Sequence, residues 1–139
     1  MLGFVFGFAF LIGGALGFVP GITKDGMFFG LFMVNTPHNI LRIASGTMFL
    51  IASVLGERLA RLWFRMFGIL YGAIAITGFL VGEGMIFGMI SNNLYDAWGH
   101  AGLALAMLVI GFTSRRQAAV ASAKAAWMSS DAPTKIESP

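Results

Sequence analysis

Four long apolar stretches alternate with short segments that carry charges or turn residues. They predict membrane-spanning helices at about Leu2–Val19, Pro37–Leu55, Leu62–Val81 and Ala97–Thr113. About 20 apolar residues cross a bilayer core of about 30 Å as a helix. Arg42 is the one charge well inside these limits. The pattern therefore predicts an all-α integral membrane protein with four transmembrane helices.

The ends of the first two spans follow from local signals. Residues 1–23 carry no charged side chain. A signal peptide would show a basic segment and a small-residue cleavage site, and neither is evident, so the first span is expected to be a retained helix. Thr36 is expected to cap the second span, with Pro37 at its first helical position, where a missing N–H is tolerated.

Composition supports the membrane interpretation. Hydrophobic residues make up 58% of the chain and charged residues 11%, whereas about a quarter of the residues in a soluble domain are charged. A soluble all-helical domain is the alternative that this balance opposes. The absence of cysteine excludes disulfides and thiolate metal sites. The net charge of +3 lies mostly beside apolar segments, which favours membrane lipids rather than nucleic acid as the surroundings.

The basic residues also predict an orientation. Arg58, Arg61 and Arg65 surround the second connection, and further basic residues follow the fourth span. By the positive-inside rule, the second connection and both termini are predicted to be cytoplasmic. Trp63 on the inner side and Trp98 on the outer side then fall where interfacial aromatic residues belong.

Two segments of the chain resemble each other. Residues 26–35 align with residues 84–93 at an offset of 58, with five of ten positions identical. Upstream, residues 17–19 match residues 78–80 after a three-residue insertion in the first copy. Chance similarity between apolar segments is the alternative to duplication. We expect a domain over 1–113 with two parallel helical-hairpin repeats, 1–55 and 63–113, related by an axis along the membrane normal.

Three further expectations concern packing and the outer parts of the fold. The outer segments of both repeats are expected to form short helices that lie on the bundle. Small residues at four-residue spacing are expected to pack helices closely, within the chain first and between copies second; they include Gly13, Gly17, Gly68 and Gly72. Residues 114–128 are predicted to extend the fourth helix into the cytoplasm, and residues 129–139 to form a disordered tail.

The candidate chemistry lies at the outer ends of the second and fourth spans. His38 and Arg42 are four residues apart, as are Asp96 and His100, so each pair occupies one helix face. Asn39 lies near the same level. Ionisable groups within a span face the bundle interior or a water-filled cavity. We expect the Asp96 carboxylate to lie within hydrogen-bonding distance of Arg42 or His38.

Several roles fit this polar cluster. It could hold a haem through two histidines, relay protons, bind a small ligand, or act as a hydrogen-bonded plug that fixes the register of the hairpins; the plug is favoured. The repeat alignment places His100 one turn, about 5.4 Å, deeper than His38, which opposes ligation of one iron by both. A single-histidine contact to haem or chlorophyll stays open. No metal site and no catalytic residue set is predicted.

Several of these residues resemble those of a known family. They are residues 17–23 (GFVPGIT), residues 30–35 (GLFMVN), the pair His38-Asn39, Gly46, and the spacing of Asp96 and His100. The chain is similar over about residues 4–112 to the uncharacterised bacterial four-helix membrane proteins of domain-of-unknown-function family 4383. A histidine is expected four residues after His38, where this chain has Arg42, which opposes a shared metal or haem role there.

The resemblance implies a multi-pass protein of the bacterial cytoplasmic (inner) membrane, and it implies no activity. We expect a non-catalytic accessory or structural subunit that packs against other integral membrane subunits, for example those of a respiratory or photosynthetic complex. The alternative is a stand-alone protein that binds a haem, pigment or small ligand, or a transporter, through the polar cluster.

Overall fold

Four helices and two small β-sheets make up the chain. The computed structural model describes residues 1–130, apart from the side chains of residues 114–118 and 130. The helices are α1 (Leu2–Leu16), α2 (Thr36–Leu55), α3 (Glu57–Val81) and α4 (Leu94–Ser130). The strands are β1 (Thr23–Lys24), β2 (Met27–Phe28), β3 (Phe32–Met33), β4 (Gly84–Ile86) and β5 (Ile90–Asn92).

Three helices are long and apolar enough to cross a membrane: α2, α3 and the segment Leu94–Thr113 of α4. This finding indicates a membrane protein. The helix α1 is apolar but has only 15 residues, or about 22 Å at 1.5 Å per residue. It ends at Leu16, earlier than the expected end at Val19, because the chain turns after Gly17.

Local contacts place the helix ends a few residues from where they were expected. Asn35, and not Thr36, caps α2, because its side-chain oxygen accepts a hydrogen bond from the backbone N–H of His38. A single residue, Gly56, separates α2 from α3, with φ 125°. Only glycine adopts that φ readily, so the reversal of direction depends on it.

The expectation of short helices in the outer segments is wrong. Residues 23–33 form a three-stranded antiparallel sheet in the order β1-β2-β3, and residues 84–92 form the hairpin β4-β5. Each reversal has two consecutive residues with positive φ: Asp25-Gly26, Phe29-Gly30 and Phe87-Gly88. Two such residues define a type I′ turn, which matches the twist of two antiparallel strands and is incompatible with a helix.

The helices pack as two hairpins, α1 on α2 and α3 on α4, which meet through α2 and α3. Glycine allows the close approaches in both. A Cβ at Gly7 would lie 2.5 Å from the Leu50 side chain, and one at Gly68 would lie 2.7 Å from the Leu108 side chain. Close packing in membranes depends on such small residues, because lipid provides no hydrophobic drive between helices.

The four glycines expected at helix contacts behave differently from one another. A Cβ at Gly17 would overlap the side-chain amide of Asn39, so Gly17, like Gly68, lies at a close contact. At Gly72 the nearest atom would be the Ala104 Cβ at 3.8 Å, an ordinary contact. The expectation is wrong for Gly13, because no atom lies within 4 Å of its Cβ position.

The centre of the bundle is aromatic. Phe49 of α2 is fully buried, and its ring lies 5.0 Å from that of Phe64 and 5.1 Å from that of Phe67. Phe10 of α1 stacks on Phe49 at 6.0 Å. These rings join α1, α2 and α3 midway along the bundle.

The fourth helix extends well beyond its apolar part. It is helical through residues 114–128, as expected, and it continues to Ser130. The predicted disordered tail therefore begins too early, because residues 129 and 130 are helical. The remainder of that predicted tail, residues 131–139, lies outside the described residues.

One pair of glycine substitutions tests the close packing. A Cβ at Gly46 would lie 2.7 Å from the Gly7 carbonyl oxygen and 2.8 Å from the Leu11 backbone nitrogen, whereas Gly102 has no atom within 4 Å. Alanine stabilises a helix by roughly 0.5–1 kcal/mol relative to glycine, but overpacking costs about 1–3 kcal/mol. Thermal unfolding in detergent should show that Gly46→Ala is destabilised and that Gly102→Ala is not. Equal melting temperatures for the two variants would contradict the close approach of α1 and α2.

Candidate functional site at the hairpin end of the bundle

Two asparagines determine where α2 and α4 begin, and with that the position of the ionisable side chains in the first turn of each helix. The Asn35 side-chain oxygen accepts from the His38 N–H at 3.0 Å. In the second half, the Asn93 side-chain oxygen accepts from the Asp96 N–H at 2.9 Å. Both asparagines therefore cap a helix in the same way, and each sets an ionisable residue in the first turn. We call this end of the bundle, which carries the two sheets, the hairpin end, and the end at Gly56 the connection end.

The same two asparagines also join the halves of the chain. The Asn35 side-chain amide donates to the Met89 carbonyl at 2.7 Å, and the Asn93 side-chain amide donates to the Leu31 carbonyl at 2.7 Å. Each asparagine thus satisfies the turn of the opposite hairpin. These two hydrogen bonds connect the hairpins at matching positions and so favour one register between them.

Asp96 is 2% exposed and is held mainly by backbone amides. Its Oδ2 accepts from the Met33 N–H at 2.8 Å and from the Asn93 N–H at 3.2 Å. Arg42 Nη2 lies 4.0 Å from Asp96 Oδ1. Asp96 was expected within hydrogen-bonding distance of Arg42 or His38, and this expectation is wrong for Arg42, because 4.0 Å is the distance of a long ion pair and exceeds a hydrogen bond. The Met33 N–H was not predicted to bind this carboxylate, because the segment that forms β3 was expected to be helical.

The two histidines lie face to face. His38 is 3% exposed, and its Nδ1 lies 3.2 Å from the Ser91 carbonyl oxygen. Its ring stacks on that of His100 with 5.7 Å between centroids and 23° between planes. The His100 ring lies 5.4 Å from the Tyr71 ring. Among the described residues, no group of three or more histidine, aspartate or glutamate side chains could hold a metal ion.

Asn39 and Asn92 serve the helix pairs. Asn39 is buried on the α1 side of α2, where Gly17 makes room for its amide. It was expected in the polar cluster, but its side chain lies in the α1–α2 contact. The Asn92 amide donates to the carbonyls of Gly78 at 3.1 Å and Gly82 at 2.7 Å, so it satisfies the end of α3. The side-chain oxygens of Asn39 and Asn92 are buried without a hydrogen-bond partner among the described residues.

A cavity of about 450 Å³ separates α1 from α4 and reaches the polar cluster. Its walls are apolar or small. Those from α1 are Val5, Phe6, Ala9, Phe10 and Gly13. Those from the first sheet and α4 are Phe28, Phe32, Gly99 and Leu103. The volume lies within the range of roughly 300–1,000 Å³ found for small-molecule sites.

Four polar side chains line one end of this cavity, which we call its polar end: Arg42, Tyr71, Asp96 and His100. The Arg42 guanidinium carbon lies 5.6 Å from the centre of the Phe28 ring. Arg42 makes no hydrogen bond to another side chain or backbone group in residues 1–130, apart from side chains left undescribed. Guanidinium carries five N–H donors and no acceptor. This end of the cavity is therefore rich in donors that face the space.

Comparison with known proteins identifies one match. Residues 1–113 match the family described as "Domain of unknown function (DUF4383)". No curated protein and no solved structure matches the chain. The matched range includes both sheets, the cavity and every residue of the polar cluster.

Two substitutions at Asp96 separate its charge from its role as an acceptor. Asp96→Ala leaves the amides of Met33 and Asn93 without their acceptor and Arg42 without its counter-ion. Each buried donor left unpaired costs roughly 1–3 kcal/mol. Asp96→Asn removes the charge and keeps a carbonyl oxygen. Thermal unfolding in detergent should show a clearly larger loss of stability for Asp96→Ala than for Asp96→Asn. Equal losses would indicate that the ion pair, and not the amides, holds this residue.

Proposed function

Because the chain belongs to the DUF4383 family, whose description assigns no activity, we propose a function from the cavity: the protein binds a single-chain, lipid-like amphiphile within the membrane. The acyl or isoprenoid chain lies between α1 and α4, and a hydrogen-bond-accepting or anionic head group lies against Arg42. The observation that supports this proposal is one apolar cavity that ends at a guanidinium without a close partner.

The walls favour a molecule that enters from the bilayer. Val5 is 60% exposed and lies on the cavity, so the cavity reaches the surface of α1. Phe6 and Phe10 form its buried side, and Leu103 faces them from α4. Such a surface offers a hydrocarbon chain continuous apolar contact and offers a water-soluble substrate almost no hydrogen bonds.

The charges at the polar end of the cavity favour a head group that accepts hydrogen bonds. One Asp96 oxygen already accepts two backbone N–H groups. The other lies 4.0 Å from Arg42 and compensates it only in part. The charges of Arg42 and Asp96 sum to zero, but the free donors belong to Arg42. A carboxylate, phosphate or carbonyl oxygen would receive charge-assisted hydrogen bonds there.

We also propose that α1 crosses the membrane as a fourth span. Although α1 is short, it runs along almost the whole of α2: Gly3 lies against Ser53 near the connection end, and Gly17 lies against Asn39 near the hairpin end. Helix α1 therefore follows a neighbour that is itself long enough to cross.

The proposed tandem repeat has support from residues 58 positions apart. The turn Phe29-Gly30 has φ values of 51° and 71°, and the turn Phe87-Gly88 has 53° and 70°. The bonds from Asn35 to Met89 and from Asn93 to Leu31 exchange under the same offset. Equivalent residues that contact one another in this reciprocal way fit a pseudo-two-fold axis between two parallel repeats.

Location and partners belong to the proposal as well. Arg58, Arg61 and Arg65 lie at the connection end, which favours a cytoplasmic position for that end and both termini. The bacterial inner membrane remains the expected location. The accessory-subunit function, with other integral membrane subunits as partners, stays a prediction, as does the absence of catalysis. We favour the ligand-binding alternative because the cavity gives it a site.

A bulky residue in the cavity tests the binding. Gly13 has open space at its Cβ position and lines the cavity, whereas Gly102 has open space on α4 but does not line it. Gly13→Phe should therefore weaken the binding of hexadecanoate by at least about ten-fold, and Gly102→Phe should bind like the original protein. Isothermal titration in an uncharged detergent measures both. Equal affinity for all three proteins would rule out this cavity as the site.

Head-group chemistry is tested with chains of equal length. Hexadecanoate should bind more tightly than hexadecanol, because only the carboxylate pairs with Arg42. Arg42→Gln should remove most of this difference, roughly ten-fold or more, as expected for a hydrogen bond to a charged group. Lys24→Gln removes one positive charge from an exposed position that lines neither the cavity nor another pocket and should leave the preference unchanged. A preference that survives Arg42→Gln would show that the head group lies elsewhere.

A further inference from the structure

Three arginines form a second pocket at the connection end. Arg58, Arg61 and Arg65 lie three and four residues apart on the first turns of α3, so they share one helix face. Together with Leu62 they line a pocket of about 430 Å³. None of these residues lines the cavity between α1 and α4.

The guanidinium groups of this pocket are only partly compensated. Arg61 pairs with Glu57 at 3.2 Å, and Glu57 is almost fully exposed. Arg58 makes no ion pair or hydrogen bond with another described side chain or backbone group. Three positive charges and one negative charge leave the pocket with a net charge of +2.

Arg65 is held in place. Its Nε donates to the Gly111 carbonyl at 2.9 Å, and its guanidinium carbon lies 4.8 Å from the centre of the Phe112 ring. Both contacts come from α4, and they leave the two terminal nitrogens of the guanidinium without a hydrogen-bond partner among the described residues. A planar group fixed in this way presents paired donors to an oxyanion with little further loss of side-chain entropy.

An apolar row continues from the pocket along α3. Leu62, Met66 and Ile69 lie four and three residues apart, and they are 49%, 52% and 64% exposed. Leu62 belongs to both the pocket and the row. The surface therefore changes from strongly basic to apolar over about two helical turns in the direction of the membrane interior.

We propose that this surface binds one anionic phospholipid, with the phosphate between Arg58, Arg61 and Arg65 and an acyl chain along Leu62, Met66 and Ile69. Charge complementarity selects the phosphate, and the apolar row selects a lipid over a soluble anion. Basic pockets at the ends of membrane helices suit such head groups, and guanidinium binds phosphate oxygens in a bidentate manner. The site is separate from the amphiphile cavity, so either proposal can fail without the other.

The experiment is native mass spectrometry of the full chain in an uncharged detergent, titrated with phosphatidylglycerol, with phosphatidylcholine of the same acyl chains, or with inorganic phosphate alone. All titrations use Gly13→Phe as the background, because it blocks the other cavity. We expect one tightly bound phosphatidylglycerol, whose affinity falls as salt rises. Equal binding of phosphatidylcholine, or displacement of the lipid by millimolar inorganic phosphate, would overturn the proposal.

Matched charge removals identify the site. Arg58→Gln should weaken phosphatidylglycerol binding about five-fold, the effect of one basic residue near a membrane surface. Lys24→Gln removes the same charge from an exposed position at the hairpin end and should leave the affinity unchanged. Equal weakening by both variants would show attraction to overall charge and no specific site. Arg58 is exposed, so its removal should preserve the fold, and circular dichroism checks this.

Discussion

The structure of the hairpin end depends on the hydrogen bonds that Asn35 and Asn93 each make to the turn of the opposite hairpin. Each side chain caps its own helix through its oxygen and satisfies the opposite turn through its nitrogen. The oxygen and at least one donor hydrogen of each amide are then committed to the protein, and the Asn35 nitrogen also donates to the Met85 sulfur at 3.9 Å. The first turns of α2 and α4 are consequently fixed against each other, and with them the positions of Arg42 and Asp96.

The location of Asp96 follows from this arrangement. The turns of both hairpins lie over the end of the bundle. The backbone of β3 therefore passes beside the first turn of α4, where the Met33 N–H donates to the Asp96 carboxylate. A buried carboxylate is stable only with partners. Here most of the partnership comes from amides, and so Arg42 remains 4.0 Å away and faces the cavity. The donor-rich end of the cavity is thus a consequence of how the acidic residue is satisfied.

Hydropathy and spacing predicted much of this structure, and the exceptions have physical reasons. Long apolar runs predict α2, α3 and α4 well, because the membrane requirement acts on sequence directly. The Asp25-Gly26 dipeptide is a known hairpin signal, but the apolar residues around it suggested interfacial helices. The Phe29-Gly30 and Phe87-Gly88 turns carry a weaker signal, since phenylalanine rarely takes positive φ. Helix faces predicted that Arg42 and Asp96 lie near each other but not that they stay 4.0 Å apart, because the amide of Met33 that binds the carboxylate depends on a contact 63 residues distant.

The cavity could not be predicted in this way. Hydropathy shows that Phe6, Phe10 and Leu103 are apolar, but an apolar side chain can face lipid, a neighbour or a gap. Gly13 illustrates the difficulty, because its spacing from Gly17 indicated helix packing and the structure gives it open space. Whether α1 touches α4 depends on how each of them packs against its other neighbours. Here α1 is held against α2, and α4 is held against α3.

The single-residue link at Gly56 has a consequence for how a ligand would reach the cavity. In a chain of four sequential helices, α1 and α4 are the one adjacent pair with no covalent connection, and the gap between them contains the cavity. Gly56 joins the two helical hairpins on one side of the bundle, and the gap lies on the side where no connection joins α1 to α4. Ring contacts of Phe6 with Phe64 and of Phe10 with Tyr71 hold α1 against α3, so the gap exists without any separation of the two hairpins. Under the proposed binding, a long hydrocarbon chain would meet this gap sideways from the bilayer, with no covalent connection between α1 and α4 in its way.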